Sequence, residues 1–135
     1  MSVRAEALHR IDAALAELGQ LESSLTAVRL GQKPGIDRGD VTRRFHAVAR
    51  VSTGHHAFAP VQELAALAEK VTDGTDQSIL HTAGEFEVVQ HAADVLSLLL
   101  RDMGCQLLGR RGADITPATI ALRERLEREL LAAHR

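Results

Sequence analysis

Residues 79–103 read ILHTAGEFEVVQHAADVLSLLLRDM, the most hydrophobic stretch of a 135-residue chain. Ile79, Phe86, Val89, Ala93, Leu96, Leu100 and Met103 recur in a heptad-like register, and Val88, Ala92, Val95 and Leu99 widen the same face. Residues three and four apart share one side of an α-helix, so the pattern predicts a central helix covered by several others. Its wide apolar face serves a monomer core or a homo-oligomer seam equally. Thr72-Asp73-Gly74-Thr75 interrupts the chain before it, and Thr75 or Asp76 is placed to cap it.

Four further helices follow from breakers and periodicity on either side. Upstream, Pro60 suits a first helical position, and Val61, Leu64, Ala65, Leu67, Ala68 and Val71 give that helix its apolar positions. Before it, a helix is expected from Asp40 as N-cap, through Val41, Phe45, Val48 and Val51, to an end around His55 to Ala57. A long first helix from Val3 to Leu30 carries Leu8, Ile11, Leu15, Leu18, Leu21, Leu25 and Val28, and Gly31 to Gly35 stops it. Downstream, Gly104 to Thr116 reads as a loop, and Pro117 opens a last helix with Leu122, Leu126 and Leu130 four apart. The expectation is an all-α protein, an up-and-down bundle of about five helices forming a single domain over residues 1–135.

Composition narrows the function classes. Hydrophobic residues make up 45% and charged residues 25%, ordinary values for a folded domain. Three Phe with no Tyr and no Trp leave no stacking platform for single-stranded nucleic acid and argue against a β-sandwich. Sixteen basic against eighteen acidic residues give a net charge of −2, so nucleic acid, whose affinity scales with the phosphates neutralised, is not an expected partner. One cysteine, Cys105, cannot form an internal disulfide or a thiolate metal cluster. No apolar run approaches the length of a membrane span, and Arg4 and Glu6 interrupt the amino-terminal segment where a signal peptide would need an apolar core. A cytoplasmic location without membrane association is expected.

A sharper clue lies in the second and third helices. The segment Val41-Thr42-Arg43-Arg44-Phe45-His46-Ala47-Val48-Ala49-Arg50-Val51-Ser52-Thr53-Gly54 is followed by His55-His56-Ala57-Phe58-Ala59-Pro60-Val61-Gln62-Glu63-Leu64. It resembles the histidine phosphotransfer (HPt) domain, particularly the amino-terminal domain of chemotaxis histidine kinases. That family has a Phe one turn before its phosphorylated His. A hydroxyl residue, an aliphatic, a Lys and a Gly follow the His, and a second Phe comes nine residues after it. Phe45 and Phe58 take the two Phe positions without a gap, and Gln62 to Val71 fits the short third helix. The resemblance covers most of the chain and implies an HPt-like four-helix core.

In this register the acceptor position is Ala49, whose methyl group has no lone pair for a phosphoryl group. The family Lys is Ser52, which supplies no cation, and the family Gly is Thr53, whose side chain crowds an approaching receiver. The resemblance therefore implies a degenerate HPt domain. It would bind a response-regulator receiver domain or a histidine-kinase domain and modulate two-component or chemotaxis-type phosphosignalling without carrying phosphate. Helical geometry puts Phe45, Val48 and Ser52 on the buried side of the second helix. His46, Arg50 and Thr53 lie opposite, with Ala49 beside them, and Arg43, Arg44, His46, Ala49, Arg50 and Thr53 are the expected partner-binding residues.

Rival chemistries use the histidines. His46, one turn before Ala49, is the fallback acceptor, with Arg50 four residues on to steady a phosphoryl group. His55 and His56 fall where the second helix should end, with His55 toward Val48 and Val51. For a metal- or haem-binding bundle, His81 with Glu85 and Glu87 with His91 stand four apart but point in different directions. Glu6-Ala7-Leu8-His9 alone matches the Glu-x-x-His pattern that a di-iron bundle needs twice. Without ligand roles, Glu85 and Glu87 are solvated charges and His81 and His91 are rim residues. Cys105 has no flanking base and reads as a half-buried small hydrophobe. A helical adaptor is the remaining alternative. No cofactor or bound metal is expected, and neither the adaptor nor the degenerate HPt reading requires catalysis.

Overall fold

The structure is a computed structural model that describes residues 2–51, 56–73, 79–80, 83–110 and 114–133. Among these, five helices, α1 (Val3–Arg29), α2 (Arg38–Val51), α3 (Ala59–Asp73), α4 (Ala83–Leu107) and α5 (Thr116–Ala133), carry the fold. A 3-10 turn at His56–Phe58 leads into α3, and two short strands, β1 (Ile36–Asp37) and β2 (Ile79–Leu80), pair antiparallel. The all-α bundle expected from the hydrophobic pattern is the observed architecture.

Helix ends show how local chemistry sets the frame. Ser2 Oγ accepts the backbone N–H of Ala5 and caps α1. At its other end Gly31 adopts φ +75°, and the N–H groups of Gly31 and Gln32 reach back to the carbonyls of Val28 and Ala27. The same closure recurs after α4, where Gly109 adopts φ +74° and Gly109 and Arg110 bond back to Gln106 and Cys105. Both long helices thus stop where a residue without Cβ can turn left-handed and satisfy the last carbonyls.

Several expected boundaries move for identifiable reasons. Asp37, not Asp40, caps α2, because its Oδ2 accepts the Asp40 N–H at 3.2 Å. The third helix begins one residue before Pro60 and runs on through Thr72, read as part of a stop but buried inside the helix. Ile79, expected in the fourth helix, instead pairs with Asp37 in the short ladder. Gly104, expected to open a loop, lies within α4, where a glycine costs about 1 kcal/mol relative to alanine, and the helix continues to Leu107. Thr75 and Asp76, the expected caps of α4, lie outside the described residues.

Cross-helix side-chain pairs fix the directions. Arg10 bonds the Val51 carbonyl and Arg44 meets Glu17, so α1 and α2 run antiparallel. Arg38 reaches the Thr72 carbonyl while His46 meets Glu69, so α2 and α3 are antiparallel too. Arg29 bonds Gln90 near one end of α4, and Ala7 lies with Met103 and Leu107 at the other. The four helices close a square in which α1 packs on α2 and α4, and α3 packs on the same two. The fifth helix lies outside it across α3 and α4, anchored by fully buried Leu122 and Leu126.

The core runs along the axis of this square, with Leu18, Leu21, Leu25, Phe45, Phe58, Leu64, Leu96 and Leu100 almost wholly enclosed. Each contributes roughly 1.5–3 kcal/mol on burial. On α1 the stripe shifts by one residue: Ala7 and Ala14 are buried, while Leu8 and Leu15 are only half-buried. Small residues thus take the enclosed positions on this part of α1, with the neighbouring leucines at its margin. No described helix is long and apolar enough to cross a membrane.

Candidate functional site on α2 and α3

The second helix is flanked by α1 on one side and α3 on the other, so its buried arc is wider than the simple two-sided reading. Val41, Phe45, Val48 and Ala49 all face the core, and Arg38 joins them at the amino-terminal end. What remains outside is a narrow line of Gly39, Arg43, His46 and Arg50, at spacings of four, three and four. This ridge is the exposed face of α2.

The sequence-expected residues divide accordingly. Arg43, His46 and Arg50 lie on the ridge, the first with a side chain 73% exposed and a 3.4 Å contact to Asp40. Arg44 is turned toward α1, 2.9 Å from Glu17 and 3.6 Å from Asp40, so it is tied to the scaffold and does not line the open face. Ala49, expected to border the exposed face, is buried at 9% exposure. The correction has a plain cause: packing by two neighbours covers more than half of the helix circumference. Thr53, with Ser52 and His55, lies outside the described residues.

At the middle of the ridge, the Nδ1 of His46 lies 2.8 Å from Glu69 Oε1 on α3, and the imidazole is 53% exposed. An ionised carboxylate only accepts, so Nδ1 carries the proton in this contact, and in the neutral ring the lone pair is on Nε2. The pair stands on the exposed ridge between Arg43 and Arg50. Glu69 was invisible as a site residue in the sequence, because it stands 23 positions from His46 and only the antiparallel packing of α2 on α3 joins them.

Below the ridge, a buried polar cluster aligns the two helices. Arg38, 7% exposed, donates to the Thr72 carbonyl at 3.1 Å and to Glu85 Oε1 at 2.9 Å. Thr42 and Thr72 join their hydroxyls at 3.1 Å, and Thr72 also bonds back to the Ala68 carbonyl. Glu85, expected as a solvated charge, is half-buried as the partner of Arg38. The cluster sets the register of α2 against α3, and through it the meeting of His46 and Glu69.

The other candidate chemistries fare as follows. Glu87 is exposed, whereas His91 is half-buried at the junction of α4 and α5, and its Nδ1 lies 3.3 Å from Arg125 Nη1. His81 lies outside the described residues, and no side-chain position is described for His56. Cys105 is a free, half-buried thiol. Among the described residues, no three His, Cys, Asp or Glu side chains converge to hold a metal ion. Comparison with known proteins finds no family model, no curated protein and no solved structure that matches this chain.

Proposed function

We propose that this chain is a degenerate HPt-like signalling domain that docks a receiver domain or a histidine-kinase domain along the exposed ridge of α2. It modulates two-component or chemotaxis-type phosphosignalling by occupying that partner, without carrying phosphate. The observation that carries the reading is the combination on one helix of an exposed Arg43–His46–Arg50 line and a buried alanine at the acceptor position of the resemblance. A methyl group under the helix surface takes no phosphoryl group, while the charged ridge above it suits the acidic surround of a phosphorylatable aspartate.

The His46–Glu69 pair favours a second reading, in which the acceptor has moved one turn along α2. Nε2 would attack the phosphorus of a receiver acyl phosphate. The N–P bond forms as the P–O bond to the aspartate breaks, and the carboxylate leaves with the electron pair. Glu69 would hold the Nδ1 proton and offset the positive charge that develops on the ring.

One experiment separates these. Each candidate receiver domain is phosphorylated by its kinase and mixed with this protein, and label on this chain is measured alongside complex formation. Binding without label supports the degenerate domain, and Arg50→Glu should then weaken binding by about 1–3 kcal/mol. Acid-labile label that disappears in His46→Ala supports the relocated acceptor. Neither label nor binding with any receiver or kinase domain leaves an adaptor with an HPt-like architecture alone.

A further inference from the structure

We infer that the contact between His91 on α4 and Arg125 on α5 is an acid-sensitive clasp, which holds the outer helix down at neutral pH and loosens it when the imidazole takes a proton. Two clefts, of about 620 and 320 Å³, meet at this contact, and both are lined by His91 and Arg125. A guanidinium has only N–H groups to offer, so the His91 Nδ1 that lies 3.3 Å from Arg125 Nη1 is an unprotonated acceptor. Adding a proton there converts the acceptor into a donor. The hydrogen bond is lost, and two cations are left facing each other across the helix seam.

The surrounding charges decide the balance. From α4, Glu87 and Asp94 face this region; from α5 come Arg125, Arg128 and Glu129; Arg29 comes from α1. Glu87 approaches Arg125 only at 3.5 Å and is itself mostly exposed, so it is screened by solvent. Burial of the ring and the positive charge of Arg125 hold the His91 pKa below its ordinary value of 6.5, with Asp94 opposing in part. A detached α5 returns His91 to the ordinary range. The native state therefore binds fewer protons than the detached one as pH falls from about 6.5 through the native pKa, and α5 docking weakens across that window.

The position makes the clasp a local device. The outer helix packs on α3 and α4 from outside the four-helix square, so its release breaks none of the contacts that α1 to α4 make with one another. Its buried anchors are Leu122 and Leu126, with Ala118 and Ile115 packed part-way. Lifting the helix uncovers apolar surface on α3 and α4, distinct from the α2 ridge and independent of the function proposed above.

The test is amide hydrogen exchange of the whole protein at pH 7.5 and pH 5, corrected for the intrinsic pH dependence of exchange. The α5 amides should lose protection severalfold at pH 5 relative to those of α1 and α2. His91→Asn, which keeps an acceptor near the Nδ1 position but does not titrate, should hold α5 protection constant. Equal α5 protection at both pH values in the unaltered protein would overturn the inference, as would an acid loss that persists in His91→Asn. A second, variant-free measurement is an NMR titration of the His91 ring protons. A pKa below 6.5 accompanied by α5 shifts supports the clasp, and one at or above 6.5 sinks it.

Discussion

The seam between α2 and α3 and the seam between α4 and α5 each contain a histidine held through Nδ1, and the two partners have opposite charge. His46 meets a carboxylate, so Nδ1 bears a proton and donates. His91 meets a guanidinium, so Nδ1 must be bare and a neutral ring carries its proton on Nε2. One residue type thus donates through Nδ1 on the first seam and accepts through it on the second. The difference arises from which helix packs opposite, and nothing in the neighbouring sequence encodes it.

The seams also differ in what holds them. Leu122 and Leu126, both fully buried, anchor the outer helix, and its polar contacts lie near the surface. Truncating Leu126 to alanine should therefore cost about 2–5 kcal/mol. The loss would appear in thermal or denaturant unfolding, and hydrogen exchange should show α5 released before the four-helix square if the two parts are as separable as their packing suggests. Uniform loss across all five helices would erase the distinction between the seams.

The α2–α3 seam adds a buried polar lock. Arg38→Ala removes its hydrogen bonds to the Thr72 carbonyl and to Glu85, and leaves that carboxylate partly buried. A loss of about 2 kcal/mol is expected, toward the lower part of the range for charged hydrogen bonds because Glu85 retains some water contact. NMR shifts of His46 and Glu69 should move as well, since the lock sets their register. Unchanged shifts at both residues would detach the lock from the site.

The smallest stability effect belongs to the His46–Glu69 pair itself. His46→Ala should change unfolding free energy by less than about 1 kcal/mol, as expected for a half-exposed pair. A larger loss would mean that the pair is mainly structural, which would weaken its reading as a functional contact. The combination of near-native stability with altered label or binding is the signature of a site.

Much of the fold was legible because its signals are local. The stripes of α1 and α4, the glycine stop at Gly31 and the leucines of α5 predicted the helices directly. The misplaced boundaries also have local causes. Asp37 and Asp40 are both good caps three residues apart, and Gly104 and Gly109 are both plausible stops. In the second case, the left-handed turn and its back-bonded carbonyls at Gly109 settle the end. Less of the site was readable. Helical spacing predicts His46 and Arg50 on the open side, but it also predicts Ala49 beside them, because a single helix wheel does not say how many neighbours cover it. Glu69, Arg38 and Arg125 carried no local signal, since their partners lie 23, 34 and 34 positions away.

By itself the sequence determined that the chain would form amphipathic helices of these approximate lengths, because side-chain periodicity and end-capping act within a few residues. Only the tertiary structure decided that α2 would be covered on two sides, that Arg38 would be buried against Glu85, and that one histidine would face a carboxylate and another a guanidinium. Those outcomes depend on the register between helices, and register is fixed by many weak long-range contacts acting together.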